Sequence, residues 1–361
     1  MRPPVAGEHL RTPIKAAQSR SLMSRPLLLC LALLLTACGQ DGGREPFVDS
    51  RTPPGLSPRF YPPEGWAWGL VQAGGYPAQR YGVSSPSTGP TAHILVLPGY
   101  GESAEAWFET AADLNGRGYT VWVLEGAGQG GSGRFGPARD VGHITNLDPD
   151  LLGVKAMLRA VIPADGRPVV LLGGRSGGLM ALLAARRGLH GDGVIASAPW
   201  RSRAAGPYDQ AAASVGLGWI RAFDEPGWNR EKPYLTGPVG GDAYRAGAQQ
   251  AWAVANPDLR MGGPSLRARR VMAQAYDEAL GALPALPGPV LLIGAPPALN
   301  QACGKAKACV AKPAPAGTKG PYAHLEDDSP RNAWLALVDE LIAERRRERL
   351  ATHGLATVHG R

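Results

Sequence analysis

The stretch that decides the fold is Pro168-Val-Val-Leu-Leu-Gly-Gly-Arg-Ser-Gly-Gly-Leu-Met-Ala-Leu-Leu-Ala-Ala-Arg186. Val169 to Leu172 is a short apolar run bounded by Pro168 and Gly173, which reads as a fully buried strand. Leu179 to Arg186 is rich in Ala and Leu and reads as a helix. Between them lies Gly174-Arg175-Ser176-Gly177-Gly178, a G-x-S-x-G. A serine on a sharp strand-to-helix turn is held in strained backbone, and a side chain on either flanking glycine, Gly174 or Gly178, is expected to clash with the neighbouring elements. The turn lifts the Ser176 hydroxyl above the sheet edge. It also aims the Gly177 N–H and the helix N-terminus at any oxyanion formed there.

Outward from this stretch, strand and helix signals alternate. Strands are expected at Gln79–Ser84, His93–Gly99, Thr120–Leu124, Gly193–Trp200 and Pro289–Gly294. Helices are expected at Ala104–Gly118, Asp148–Val161, Arg267–Leu280 and Arg331–Arg347. This order predicts an α/β fold: a mostly parallel central sheet with helices on both faces. Residues 201–270 interrupt it with Trp219, Trp228, Tyr234, Tyr244 and Trp252 among many Gly and Pro. That insertion reads either as a lid over a pocket for an apolar group or as a plain helical cap. The organisation expected is a signal segment over 1–37, a tether over 38–57, a core over 58–200 and 271–347, the lid over 201–270 and a basic tail over 348–361.

The composition, 44% hydrophobic and 19% charged, is that of a globular chain. The N-terminus carries a targeting signal: a basic start after Met23, an apolar run Leu27–Leu35, then Leu35-Thr-Ala-Cys38. Leu-Thr-Ala-Cys resembles the bacterial lipoprotein lipobox, which implies lipidation of Cys38. With Gly39 following, it also implies sorting to the outer membrane of a bacterial cell envelope, facing the periplasm. Removing residues 1–37 takes five Lys/Arg and one Glu with it and lowers the formal net charge from +8 to +4. A balance that mild gives no reason to expect nucleic acid as a partner. Cys303 and Cys309 remain, either as a short disulfide loop or as two free thiols, and no histidine is spaced to make them a metal site. The glycine-dense run from Glu125 to Arg134 lacks the G-K-[ST] ending of a phosphate-binding loop.

A serine nucleophile needs a base. Of the seven histidines, His324 follows the last strand and precedes the terminal helix, and His143 lies in a loop. The second oxyanion donor beside Gly177 is expected from Tyr100, in the turn that closes the His93 strand. Together, Pro98-Gly-Tyr-Gly-Glu102, Arg117-Gly-Tyr119, Gly128-Gln-Gly-Gly-Ser-Gly-Arg134, the G-x-S-x-G, Ser197-Ala-Pro199 and His324-Leu-Glu-Asp-Asp-Ser-Pro-Arg331 resemble the lysophospholipase and monoacylglycerol lipase branch of the α/β-hydrolase superfamily (serine aminopeptidase S33-like). The resemblance implies a serine hydrolase of single-acyl-chain esters or lysolipids, without metal or organic cofactor. Ser176 is then the nucleophile, His324 the base, and Tyr100 and Gly177 the oxyanion donors.

The chain departs from that pattern in two ways. On this register Arg175 and Gly177 stand where the family often has His and Met, so Gly177 is expected to loosen the turn. The family's acid is also missing, for Gly294-Ala-Pro-Pro-Ala-Leu-Asn300 stands in its place and no Asp or Glu occurs between Glu278 and Glu326. Asn300 or Asp209 is left to orient His324. The alternative is a non-catalytic lipoprotein that keeps the fold for binding.

Overall fold

The computed structural model describes residues 45–136, 138–231, 234 and 241–358, the last seven by backbone alone. The signal segment and Cys38 lie outside the described residues. Eight strands form one sheet: β1 (Ala67–Val71), β2 (Gln79–Ser84), β3 (Ala92–Leu97), β4 (Tyr119–Leu124), β5 (Val169–Gly174), β6 (Gly193–Ser197), β7 (Val290–Ile293) and β8 (Cys309–Lys312). Their spatial order is β1-β2-β4-β3-β5-β6-β7-β8. β2 runs antiparallel to both β1 and β4, and every other pairing is parallel. This is the mostly parallel α/β sheet that the alternating sequence signals predict.

The central strands are buried on both faces, which is why they read as unbroken Val/Ile/Leu runs. Side chains alternate between two cores, following the two-residue period of a strand. Leu95, Leu171, Val194 and Leu292 enter one core, and Ile94, Val170, Ile195 and Leu291 enter the other. The first is covered by α2 (Asp148–Ala156), α3 (Arg175–Arg186), α6 (Leu266–Ala282) and α7 (Pro297–Cys303). The second is covered by α1 (Phe108–Gly116) and by α8 (Asp328–Val358) through Trp334, Leu335 and Val338. Between β6 and α6 the chain leaves the sheet and forms α4 (Pro207–Ser214) and α5 (Ala243–Ala255).

The sequence missed three elements. These are β1, α7 and β8. β8 is four residues long and mostly exposed, so it carries no apolar run, and Cys309 within it is disulfide-bonded to Cys303 at the end of α7. No helix of the described residues is long and apolar enough to cross a membrane.

Parallel pairing fixes where the functional residues go. Leu97 lies opposite Gly173, Gly174 opposite Ser197, and Ser197 opposite Ile293. The turns that follow β3, β5, β6 and β7 therefore meet at one edge of the sheet, where open α/β sheets place their ligands.

Candidate active site

The strand-to-helix turn is strained at Arg175, one residue before the serine. β5 extends through Gly174, α3 begins at Arg175, and Arg175 has φ +55°. Among the described non-glycine residues only Ala198 shares a positive φ. Such backbone costs about 1–3 kcal/mol and persists where the surrounding structure enforces it. Small residues belong two positions either side of the strained one, and here those are Gly173 and Gly177. A Cβ on Gly177 would sit 1.9 Å from the Leu97 carbonyl oxygen, and one on Gly173 would sit 2.3 Å from the Gly177 carbonyl carbon. By contrast, a Cβ on Gly174 meets nothing within 4 Å, and on Gly178 the nearest atom is 3.0 Å away.

The register read from sequence, with Gly174 and Gly178 flanking Ser176, is thus one residue late. The expectation that Gly177 loosens the turn is reversed, since it is the tightest position there. The glycine doublets are the reason for the error. Gly173/Gly177 and Gly174/Gly178 both satisfy the spacing, and only the second pair has a serine at its centre. Gly177→Ala is therefore expected to destabilise the fold by about 3 kcal/mol or more, whereas Gly174→Ala, at φ −102°, should stay within about 1 kcal/mol. Chemical denaturation of the pair reads the difference.

Ser176 does meet Tyr100. The Tyr100 N–H donates to Ser176 Oγ at 2.6 Å, so the expected oxyanion donor is present but already filled by the serine hydroxyl. Ser176 borders a cavity of about 50 Å³, little more than the space of one or two waters. Tyr100 itself is fixed: its hydroxyl donates to the Gly262 carbonyl at 3.0 Å and accepts from the Gly142 N–H at 3.1 Å. Burial pushes its pKa upward.

His324 sits in a short 3-10 turn, Ala323–Leu325, and its ring stacks on Trp107 with centroids 4.0 Å apart. Its Nε2 lies 3.0 Å from Glu102 Oε1, and both side chains are sealed from solvent. Glu102 Oε2 accepts from the Gly99 N–H at 2.5 Å. The carboxylate beside the histidine thus comes from the loop after β3. The sequence quoted Glu102 only as part of a motif and assigned it no role.

The two residues weighed from sequence to orient His324 are elsewhere. Asn300 donates to the Ala295 carbonyl at 2.9 Å, within its own turn. Asp209 accepts from the Gly206 N–H at 3.0 Å at the start of α4 and pairs with Arg269. His143 is also occupied, with Nδ1 2.8 Å from Ser265 Oγ, and burial followed by the Arg267 charge lowers its pKa.

The residue at the strained position is thus a cation. Arg175 is 8% exposed, and its guanidinium lies 5.2 Å from the Trp200 ring centroid and 5.7 Å from that of Tyr322. Burial pulls its pKa down, opposed by the Tyr322 hydroxyl and the Glu102 charge, and an arginine at that starting point remains charged. Arg175 lines a groove of about 370 Å³ beyond the tips of β6 and β7, walled by residues such as Pro199, Ile293, Pro296 and Ala314. Gly294, Ala314 and Pro296 occupy the region where the sequence pattern called for an acid. Among the described residues no cluster of three His, Cys, Asp or Glu side chains is placed to hold a metal ion.

A family model described as serine aminopeptidase, S33, matches residues 88–296, more than half of the chain. The chain belongs to this family. No curated protein sequence matches it. Solved structures resemble this S33-family chain in fold. A soluble variant of monoglyceride lipase from Saccharomyces cerevisiae, solved with a substrate analogue, gives a TM-score of 0.56 at 16% identity, covering 78% of this chain and 96% of its own. A monoacylglycerol lipase from Paleococcus ferrophilus gives 0.53 at 17% identity, covering 73% and 98%. A thermostable carboxyl esterase from Bacillus coagulans, solved with glycerol, gives 0.57 at 15% identity, covering 77% and 97%. By family the chain is an S33-type α/β hydrolase, and its fold is the one that these lipases and this esterase share.

Two buried groups frame the site of this S33-family chain. Arg80 on β2 is fully buried and binds Glu125 through Nε at 2.9 Å and Glu105 through Nη2 at 2.9 Å. Burial works against its charge, but the two carboxylates outweigh it and hold its pKa above the usual value. Glu125 also accepts from the Ala104 N–H at 2.8 Å, so the network pins the chain just after Glu102.

Asp150, at the cavity that Ser176 borders, is pushed by burial up to about 6, with the Ala127 N–H opposing. A carboxyl whose folded pKa exceeds its unfolded value of about 4 binds its proton more tightly when folded. Stability therefore falls as pH rises from about 4 through about 6, and the cost persists at neutrality. Asp150→Asn, which can still accept from Ala127, should gain about 1–3 kcal/mol at pH 7 and lose the slope between pH 4 and 6. Urea unfolding across that range measures both.

Proposed function

We propose that this chain uses the lipase-type scaffold to hold a small-molecule ligand at the Arg175 turn, without forming an acyl-enzyme. The observation that carries this reading is the positive φ of Arg175 between Gly173 and Gly177, which puts a guanidinium where a nucleophile would stand. Nucleophilic catalysis needs a hydroxyl and a base within hydrogen-bond reach of each other, about 2.6–3.2 Å. Ser176 Oγ instead accepts from Tyr100, and His324 Nε2 faces Glu102. An ester carbonyl would also find the Tyr100 N–H already taken. The solved relatives carrying a substrate analogue or glycerol support a small molecule as the ligand.

A second reading, ester hydrolysis through Ser176 and His324 on single-acyl-chain esters, is favoured by one contact. The Ser176 hydroxyl already touches the expected oxyanion donor.

The two readings separate in one assay: turnover of p-nitrophenyl butyrate and of a lysophospholipid by the purified chain and by Ser176→Ala. Binding without chemistry predicts background rates for both proteins. Turnover by the native chain that disappears in Ser176→Ala would establish the second reading instead.

Lipidation of Cys38 and a periplasm-facing outer-membrane tether complete the proposal, supported by the Leu35-Thr-Ala-Cys38 pattern. Mass spectrometry of the mature N-terminus tests it. A diacylglyceryl-modified Cys38 as first residue is expected, and an unmodified cysteine retained within a longer chain would refute it.

A further inference from the structure

We propose that Trp228, Gln249 and Gln250 hold one buried water molecule where the 201–270 insertion meets the loop after β3. Three buried polar atoms carry the inference. Trp228 Nε1, Gln249 Oε1 and Gln250 Oε1 meet no hydrogen-bond partner among the described residues. Buried polar groups are almost always paired, with protein or with ordered water.

Gln249 and Gln250 are neighbours on α5 and only 6% and 8% exposed. Half of each amide is satisfied by protein. Gln249 Nε2 donates to the Gly101 carbonyl at 2.9 Å, and Gln250 Nε2 donates to the Asn229 carbonyl at 2.7 Å. A carbonyl partner demands the NH₂ end of an amide, so these bonds also fix which end of each side chain is oxygen. Gln249, Gln250 and Trp228 all line one cavity of about 10 Å³, with Gly101, Ser103 and Met261 on its walls. That is about the space of a single water.

The chemistry of the three atoms selects water. One water accepts from the indole N–H and gives its two protons to the two amide oxygens, which makes three hydrogen bonds, the usual number for a buried water. A cation would face the indole N–H and an anion the two amide oxygens, so charge of either sign is disfavoured there. The nearby donors are committed elsewhere. Arg260 stacks on the Trp228 ring and donates to the Ala253 and Val254 carbonyls, and the Tyr234 hydroxyl donates to Glu225.

The water ties α5 and the Trp228 stretch to Gly101. That glycine lies between Tyr100, whose N–H meets Ser176, and Glu102, which meets His324. Its φ is +86°, and its own N–H donates to Gln129 Oε1 at 3.1 Å. The loop that carries both site contacts is thus gripped at the Gly101 N–H by Gln129, and at its carbonyl by Gln249 with the water behind it.

A crystal structure of the full mature chain tests the proposal directly. A single solvent peak is expected within about 2.7–3.2 Å of Trp228 Nε1 and of both amide oxygens. In solution, the Trp228 indole proton, assigned by its loss in Trp228→Phe, should show Overhauser contacts to water of opposite sign in the laboratory and rotating frames. Opposite signs separate a held water from proton exchange. Gln249→Leu/Gln250→Leu removes both acceptors and should abolish that contact. No peak beside three well-ordered side chains would overturn the water site. So would a direct bond from Trp228 Nε1 to either amide oxygen, or a contact that persists at full strength in the double variant. The native crystal structure decides the case in which the double variant fails to fold, and neither readout depends on whether Ser176 is reactive.

Discussion

Replacing Arg175 with serine is expected to create fluorophosphonate reactivity that the native chain lacks. The strained turn has φ +55° at residue 175, and Gly173 and Gly177 make room for it whatever side chain residue 175 carries. Arg175→Ser therefore puts a hydroxyl at the position built for a nucleophile, within reach of the Glu102 charge that acts on residue 175. A positioned base accelerates such a reaction by about 10²–10⁴-fold. With the Glu102 carboxylate beside residue 175 and His324 Nε2 turned to that carboxylate, the low end, about 10²-fold over the native chain, is the expected gain in labelling rate. Adding Ser176→Ala to Arg175→Ser should leave the new reactivity intact or raise it, since the Tyr100 N–H is then released. Reactivity that instead requires Ser176 in both backgrounds would place the nucleophile where the sequence first suggested.

The largest stability effect is expected at Arg80, whose network pins the chain just after Glu102. Removing one member of a buried ion network leaves the remaining charges without compensation, at a cost of about 3–5 kcal/mol. In Arg80→Ala both Glu105 and Glu125 would stay buried, with side chains 0% exposed in the native protein. Native stabilities run to about 5–15 kcal/mol, so this one change consumes a large share of the total. At about 2–4 °C per kcal/mol for large domains, the Tm should drop by roughly 6–20 °C. Arg80→Ala/Glu105→Gln/Glu125→Gln should recover part of the loss, because two of the uncompensated charges are gone. Thermal unfolding of the variants decides it, and a fall below about 2 °C in Arg80→Ala would show that the network contributes little.

Much of the sheet was legible because its central strands are buried on both faces. Val169–Leu172 and Thr120–Leu124 announce themselves as apolar runs between turn residues, and the pairing in the structure extends them by only one or two positions. β1 and β8 were not legible, since edge strands bury one face or neither.

At the site, His324 was read from its place after the last strand and Tyr100 from the turn that closes β3, and the strand after Pro168 placed the turn to within one residue. Its register was hidden by the doubled glycines. The decisive contacts, Gly177 against the Leu97 carbonyl and Gly173 against Gly177, are made in space and leave no mark on spacing. A signal did exist in the length of β5: a strand carried through Gly174 to pair with Ser197 leaves Arg175 as the residue that must turn.

Glu102 was missed for a related reason. It sits three residues past Gly99 in a loop read for its N–H groups, and only the fold brings its carboxylate to a histidine 222 positions later. Asp209 and Asn300 looked available because local roles, a helix start and a turn, cannot be told from a free acid or amide in sequence.

The central claim is that Arg175, and not Ser176, occupies the nucleophile position of this S33-family chain. Intact-mass spectrometry of the native mature protein after prolonged exposure to a fluorophosphonate tests it most directly. The structure predicts an unshifted mass under conditions that fully modify Arg175→Ser. A single adduct on the native chain, mapped by peptide sequencing to Ser176, would contradict it.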